Sequence, residues 1–370
     1  MSVKRNAAGS NFLRKGKTAA LALAIAAFGT TSIGVGGTVH AAEPGTKLEV
    51  SSKPFVIGGQ KVYLPAAVVN GESYIGLRSL NDRLGIGTSW NQKSRTAVLT
   101  GRGRTMQVIS TDGYRLNGER VYASPSYIQA GSTFVPLRFV LESFGYNIGY
   151  DAASKAVIVD PISENDVTWK SEQISYQASK LKLNVSYPVL SGTENEEAMA
   201  KINAKLKADA ERYAAAGRKT LEKAAKENAE AERAYPDTTI PPVEYEGAYT
   251  VTYNEAGKIS LYVDYYLYTG GAHGGIERVP YTFDLKTGAL LSLKEAAGGN
   301  ADYVSIINRA IQAQIKQQNL LPLLVPFKSI EADRPYFLKH NALVVYFSQY
   351  EYTPYAAGMP EFTVPFSAFR

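Results

Sequence analysis

The chain has 370 residues, 45% of them hydrophobic and 20% charged, with no cysteine, three histidines and a formal net charge of +6. That composition suits a globular protein of two or three domains, and the missing cysteine removes thiol catalysis, disulfides and thiolate metal sites together. The excess positive charge sits at the N-terminus: beyond residue 41 the chain holds 35 basic and 34 acidic residues, so the clustered basic face that a nucleic acid requires is not in the sequence.

Residues 1–41 read as a secretory signal. Lys4, Arg5, Arg14, Lys15 and Lys17 form a basic segment, and Thr18 to Phe28 an apolar one. The apolar run is shorter than the roughly 20 residues that span a bilayer. A small-residue stretch ending at Val39-His40-Ala41 predicts cleavage between Ala41 and Ala42. The expected localisation is secreted, extracellular or wall-associated, with membrane contact only during export. His273 and His340 are then the only histidines left.

Residues 50–160 say one thing twice. Tyr74-Ile75-Gly76-Leu77-Arg78 recurs 60 residues later as Phe134-Val135-Pro136-Leu137-Arg138, and Leu84-Gly85, Trp90-Asn91 and Ser94-Arg95 fall on Phe144-Gly145, Tyr150-Asp151 and Ser154-Lys155. Such a period predicts two copies of one small unit. Each begins with a strand pair around Lys61-Val62-Tyr63 or Arg120-Val121-Tyr122, each preceded by a glycine suited to a tight turn. Tyr74-Ile75 or Phe134-Val135 leads into a short helix, Leu77 to Leu84 or Leu137 to Phe144. Gly85 or Gly145 ends it, and a strand pair with Thr96 to Leu99 or Ala156 to Val159 closes the unit.

Asp160-Pro161 to Val167 reads as a linker. Beyond it, Tyr176 to Tyr187 alternates as a strand. Thr193-Glu194-Asn195-Glu196 fits a capping box, opening a helix with Met199, Ile202, Leu206, Ala210 and Tyr213 on one side. That helix is expected to reach Ala234, with a break or bend near Gly217. Two strands follow, Tyr249 to Tyr253 and Ile259 to Leu267, joined by a turn at Asn254-Glu255-Ala256-Gly257. After the glycine-rich turn 270–275 come a strand from Glu277 to Phe283, a turn at 284–288, and a helix capped by Asn300 that carries Val304, Ile307, Ile311 and Ile315. Ala342 to Phe347 and Glu361 to Phe366 are the closing strands, on either side of a loop from Tyr350 to Pro360. The fold class is α+β: a duplicated small α+β module, then an antiparallel sheet packed with helices.

The pattern L-R-x-x-x-x-x-[LF]-G, followed by an aromatic, Asn or Asp, and a basic residue before an apolar strand, resembles the stalk domain of copper amine oxidases. This implies a small extracellular α+β module of the kind found in Gram-positive envelope proteins. Amine oxidation does not come with it, because that chemistry needs three histidine ligands and a quinone-forming tyrosine in an Asn-Tyr context, and residues 42–370 have two histidines and no Asn-Tyr pair. The second half carries Asn184-Val185-Ser186-Tyr187-Pro188, Tyr268-Thr269-Gly270-Gly271-Ala272-His273-Gly274, Phe283-Asp284-Leu285-Lys286-Thr287-Gly288 and Tyr355-Ala356-Ala357-Gly358-Met359-Pro360-Glu361-Phe362. These resemble the extracellular region of lysozyme-sensing anti-sigma-V factors and the non-catalytic domains of peptidoglycan deacetylases, modules known as DUF4163 and DUF3298. The resemblance implies divisions at 165–270 and 271–370 and a sensing or binding role. The sigma-binding segment, transmembrane helix and catalytic domain of those relatives have no counterpart in the sequence.

His273, between two Gly-Gly pairs with Asp264 and Glu277 nearby in sequence, is the residue that suggests catalysis. A general acid–base histidine needs an orienting partner and a reacting group within about 3 Å. The alternative is a turn whose glycines supply positive φ, with the imidazole bonded to backbone carbonyls. No Gly-x-Ser-x-Gly motif supports hydrolysis, and two distant histidines do not make a metal site. No metal or cofactor is expected. The tyrosines are more suggestive. Tyr262, Tyr266 and Tyr268 share a strand face, and Tyr350, Tyr352 and Tyr355 cluster with Pro354 on the late loop. Stiff amphipathic rings on a loop suit recognition, whereas on a strand they equally fill a core. The expected ligand-binding residues are therefore Tyr350, Tyr352, Pro354, Tyr355 and His273. The leading expectation is a non-enzymatic envelope protein that binds lysozyme or another muramidase. The alternative is a peptidoglycan-directed hydrolase or glycan-binding module centred on His273.

Overall fold

The computed structural model describes residues 47–109, 113–121, 123–192 and 195–370. The export signal with Ala41 and Ala42, and the expected cap Thr193, lie outside them.

The first module runs β1 (Ser51–Ile57), β2 (Gln60–Val69), β3 (Glu72–Gly76), α1 (Leu77–Leu84), β4 (Gly87–Asn91), β5 (Thr96–Gly101), β6 (Arg104–Ile109), β7 (Gly113–Leu116), β8 (Glu119–Val121), β9 (Tyr127–Gln129), β10 (Ser132–Pro136), α2 (Leu137–Ser143), β11 (Tyr146–Asp151) and β12 (Ala156–Pro161). The repeat is visible element by element, since β3-α1-β4-β5 and β10-α2-β11-β12 start at offsets of 59 or 60 residues. α1 ends at Gly85 in the left-handed conformation, φ 63°, and Gly145 takes φ 75° at the equivalent place.

The halves do not form separate sheets. One sheet has the order β11-β12-β1-β2-β3-β10-β9 and the other β4-β5-β6-β7-β8. The closing hairpin of the second half thus lies against the opening strand of the first, with β12 parallel to β1, and the closing hairpin of the first half joins strands of the second. At the centre, β3 and β10 pair antiparallel with Tyr74 opposite Pro136, Ile75 opposite Val135 and Gly76 opposite Phe134. Each pairing is the other read 60 residues on, so an approximate twofold axis passes through the Ile75–Val135 pair. Both residues are fully buried, in one core that includes Leu80, Val140, Leu99 and Val159.

The second half contains β13 (Thr168–Ala178), β14 (Leu181–Ser191), α3 (Glu196–Ala234), β15 (Val243–Glu255), β16 (Lys258–Tyr268), β17 (Gly275–Asp284), α4 (Leu293–Ala296), α5 (Tyr303–Gln317), β18 (Tyr336–Lys339), β19 (Ala342–Tyr346) and β20 (Glu361–Pro365). Strands β13 to β17 form a five-stranded sheet in chain order, and β18 to β20 a three-stranded one. β17 is the edge strand of the larger sheet, so the expected division between 270 and 271 falls in the loop that joins β16 to β17.

Several local expectations change. The alternating run Tyr176 to Tyr187 is a hairpin rather than one strand: it turns at Ser179-Lys180, where Lys180 takes φ 55°. Neither residue carries a glycine or asparagine turn signal, so the strand alternation passed through the turn undetected. α3 is capped by Asn195, whose side chain accepts the Ala198 N–H at 3.0 Å. It runs unbroken through Gly217. There the missing Cβ makes room for the Tyr245 ring, which an added Cβ would meet at 2.5 Å. α3 also carries the chain across from β14 to β15, which makes that pair parallel within an otherwise antiparallel sheet. α5 is capped at Asp302, with Asn300 accepting the Asp302 N–H at 2.7 Å. β18 was not expected at all.

α3 covers one face of the five-stranded sheet, burying Met199, Ile202, Leu206 and Leu221 against Val185, Leu261, Val263 and Tyr265. Each such aliphatic side chain contributes roughly 1.5–3 kcal/mol of transfer free energy. The other face meets the three-stranded sheet through Tyr262, Phe337, Val344 and Tyr346. The Leu338 N–H donates to Ser260 Oγ at 3.0 Å, pinning β18 across β16.

Candidate functional site

Two loops at one end of the larger sheet come together: the β16–β17 connection, residues 269–274, and the segment 347–360 between β19 and β20. In the first, Asn228 Nδ2 of α3 donates to the Thr269 carbonyl at 2.9 Å. Gly270 takes φ 98°, and Gly274 lies directly on the Tyr266 ring, where an added Cβ would come within 2.3 Å of Cε2. The glycines around His273 therefore serve close approach as well as turn geometry. In the second, Glu351 accepts the Ser348 N–H at 2.8 Å and pairs with Arg334. The Ile276 N–H donates to Gln349 Oε1 at 2.8 Å, which locks the late loop to β17.

This arrangement brings His273, Tyr350 and Tyr355 together. The His273 ring stacks on Tyr355 with centroids 4.0 Å apart and 23° between planes. Tyr350 lies 5.7 Å from Tyr355, and its hydroxyl is 3.2 Å from His273 Nε2. His273 Nδ1 sits 2.9 Å from the Gly274 carbonyl. A carbonyl only accepts, so this contact needs the proton on Nδ1, the tautomer in which Nε2 is free to accept from the Tyr350 hydroxyl. Tyr350 remains 55% exposed and takes φ 64°, a conformation that a bulky L-residue rarely adopts. Backbone strain of this kind costs of order 1–3 kcal/mol and persists where surrounding structure imposes it. Pro354 is exposed at the start of a short 3-10 turn at Tyr355–Ala357.

Tyr352 goes elsewhere. Its ring packs on Phe347 and Phe327 at 4.4 and 5.6 Å, and burial pushes its phenol up. Of the strand tyrosines, Tyr262 is buried with the Arg278 guanidinium 3.7 Å from its ring centroid, so it belongs to the core. Sequence reasoning missed two neighbours: Gln349 Nε2 and Thr353 Oγ1 are buried without a hydrogen-bond partner. Only their place between the tyrosines could have drawn notice.

The carboxylates that would orient a catalytic His273 are engaged away from it. Asp264 accepts from Arg278 Nε and Nη2 at 2.7 and 2.8 Å, and Glu277 accepts the Tyr213 hydroxyl at 3.1 Å. His340 is half-buried and paired with Glu255 at 2.8 Å. Among the described residues, no cluster of three His, Asp or Glu side chains is arranged to hold a metal ion.

A second concavity, of about 340 Å³, lies where the first module meets the larger sheet and is lined by Arg104, Arg138, Trp169, Tyr249 and His340 among others. Several of its charged groups pair with one another: Arg104 with Glu164 at 2.5 Å, Arg138 with Glu142 at 2.8 Å. It reads as the seam between modules. Beside it Glu119 is buried on β8, and burial pushes its carboxyl above the usual range despite hydrogen bonds from Ser186 and Ser171.

Three families match the chain in order: the copper amine oxidase N-terminal domain over residues 56–159, Deacetylase PdaC over 174–275, and a protein family of unknown function, DUF3298, over 296–367. The anti-sigma-V factor RsiV of Bacillus subtilis is 25% identical over 244 residues, covering 59% of this chain and 75% of that protein. Among solved structures, a DUF3298 member from Bacteroides fragilis is 17% identical with a TM-score of 0.40, covering 55% of this chain and 93% of its own. A DUF3298 protein from Pseudomonas aeruginosa is 18% identical with a TM-score of 0.32, covering 56% and 93%. Residues 56–159 are thus similar to a copper amine oxidase N-terminal domain, 174–275 to PdaC and 296–367 to DUF3298, and the chain as a whole is similar to an anti-sigma-V factor over 59% of its length.

Proposed function

We propose that this is an exported, non-enzymatic protein of the cell envelope whose second half recognises a protein ligand, a lysozyme or related muramidase, with the duplicated module as its mount. The observation that carries the reading is the His273–Tyr350–Tyr355 cluster. Three rings from two loops are clustered at one end of the sheet, His273 stacked on Tyr355 and Tyr350 tilted against both from a strained backbone. Preassembled aromatic side chains bind with little loss of conformational freedom, which is why such residues dominate interface energetics. The similarity to an anti-sigma-V factor over most of that protein's length supports the choice of ligand. Asp264 and Glu277 are both engaged by other residues, which favours binding over hydrolysis at His273.

Calorimetry of the protein against a purified muramidase tests this. Saturable binding is expected, and Tyr355→Ala is expected to weaken it roughly ten-fold or more, as for an interface hot spot. No heat of binding from a protein with an intact fold would reject the ligand. Unchanged affinity in the Tyr355→Ala protein would remove the loop from the account.

A further inference from the structure

Residues 303–330, which comprise α5 and the loop after it, contain Arg309, Lys316 and Lys328 and no acidic residue, in a chain whose charges beyond residue 41 nearly balance. All three basic side chains are exposed and none joins an ion pair among the described residues. Arg309 and Lys316 lie seven apart on α5, two turns along one face. Between Lys316 and Lys328 runs Leu320-Leu321-Pro322-Leu323-Leu324-Val325-Pro326-Phe327, eight residues without a polar side chain. Leu321, Leu324 and Val325 are 60, 53 and 49% exposed, while Leu323 and Phe327 turn inward onto the α5 core.

The loop is held rigidly in this posture. The Leu320 N–H donates to the Ile315 carbonyl at 3.1 Å, the Leu324 N–H donates to the Tyr352 carbonyl at 2.8 Å, and Phe327 packs against Phe347. A groove of about 580 Å³ separates it from α5, lined by Gln312, Ala313, Lys316, Leu321 and Pro326. Contiguous exposed aliphatic surface of this kind marks an interaction site.

We propose that α5 and the 320–327 loop form a docking surface for an anionic lipid bilayer, with Leu321, Leu324 and Val325 entering between headgroups and Arg309, Lys316 and Lys328 resting on phosphates. Charge selects this occupant: an apolar tip on a segment, 303–330, that carries three exposed, unpaired cations and no acidic residue fits a surface of negative charge, and long basic side chains keep their charge in the headgroup layer while their stems cover apolar area. The contact lies outside the His273–Tyr350–Tyr355 cluster, so it stands or falls independently of the muramidase reading. It also extends the chain's membrane contact beyond export.

Because the chain has no cysteine, Leu324→Cys provides a unique site for an environment-sensitive NBD fluorophore on the full chain. Vesicles of phosphatidylglycerol and phosphatidylcholine are expected to shift its emission to the blue, reversibly with salt, while pure phosphatidylcholine vesicles do not. A probe at Lys93→Cys, on the turn between β4 and β5, is expected to stay in water and serves as the control for a site away from the proposed contact. In the Leu324→Cys background, Lys316→Ala is expected to weaken the response about five-fold, as one surface charge lost. With the probe moved to Val325→Cys, Leu324→Ser is expected to weaken it roughly ten-fold. A Leu324 probe that stays in water when the protein sediments with vesicles overturns the proposal. So does a response indifferent to Lys316, and so does a blue shift that grows with protein concentration without lipid, which would assign the surface to a second copy of the chain.

Discussion

His273 and Arg278 show how far a single residue's role depends on what the fold brings beside it. Five positions apart, one is exposed and the other is buried on the β16–β18 seam. Arg278 holds Asp264 through two hydrogen bonds and Glu361 through a third at 2.9 Å, and Tyr262 covers its face. Lys339 adds a second cation to Glu361 at 2.8 Å. Arg278→Met would leave buried carboxylate without its main counter-charge, so a loss of about 3–5 kcal/mol is expected in urea unfolding. If the unfolding free energy falls by less than a fifth of that, the network is not what joins the two sheets. His273 was legible as a residue of interest from its glycines. Tyr350 and Tyr355 were legible too, but not their stacking on His273, because they lie about eighty residues away and no local pattern announces a ring stack.

At the level of elements, what carried through from sequence was periodic. The repeat, the stripe of α3 and the capping glycine of α1 each impose a local rule that the backbone obeys. What failed was punctuation. The turn at Ser179-Lys180 has no glycine to mark it, and β18 is a four-residue strand whose pairing partner, β19, follows it in sequence. Gly217 was the instructive error: a glycine in a helical run suggested a break, yet its purpose is contact. Alanine there would gain roughly 1 kcal/mol in helix propensity. It would also drive a methyl group into Tyr245, which is wedged against Tyr265 at 5.9 Å. Overpacking costs of 1–3 kcal/mol are typical and more is expected for a contact this short, so Gly217→Ala should lower the melting temperature. A rise would mean that the ring can swing aside.

For the molecule as a whole, the seam between the duplicated module and the larger sheet decides whether the two halves of the chain move as one. Arg104 reaches across it to Glu164 and lies 5.8 Å from the Trp169 ring, while Glu119 is buried against Ser171 and Ser186. A carboxyl whose pKa is raised on folding weakens the fold above its unfolded value, near 4.3, and that penalty fades as pH falls through the raised value. Glu119→Gln is therefore expected to stabilise the protein at pH 7 and to lose that advantage in mildly acidic buffer. Equal effects at both pH values in thermal melts would show that the hydrogen bonds, not the charge, matter at that position. The crossed hairpins of the first module carry a different message, about ancestry. Two similar half-units that exchange their closing hairpins around an approximate twofold axis resemble the geometry of a homodimer, and the segment linking β5 to β7, with β6 inserted between them, is where two such chains would have been joined into one. A half-unit expressed alone would have an open edge at β1 and another at β3, and its natural way to close them is to find a second copy of itself.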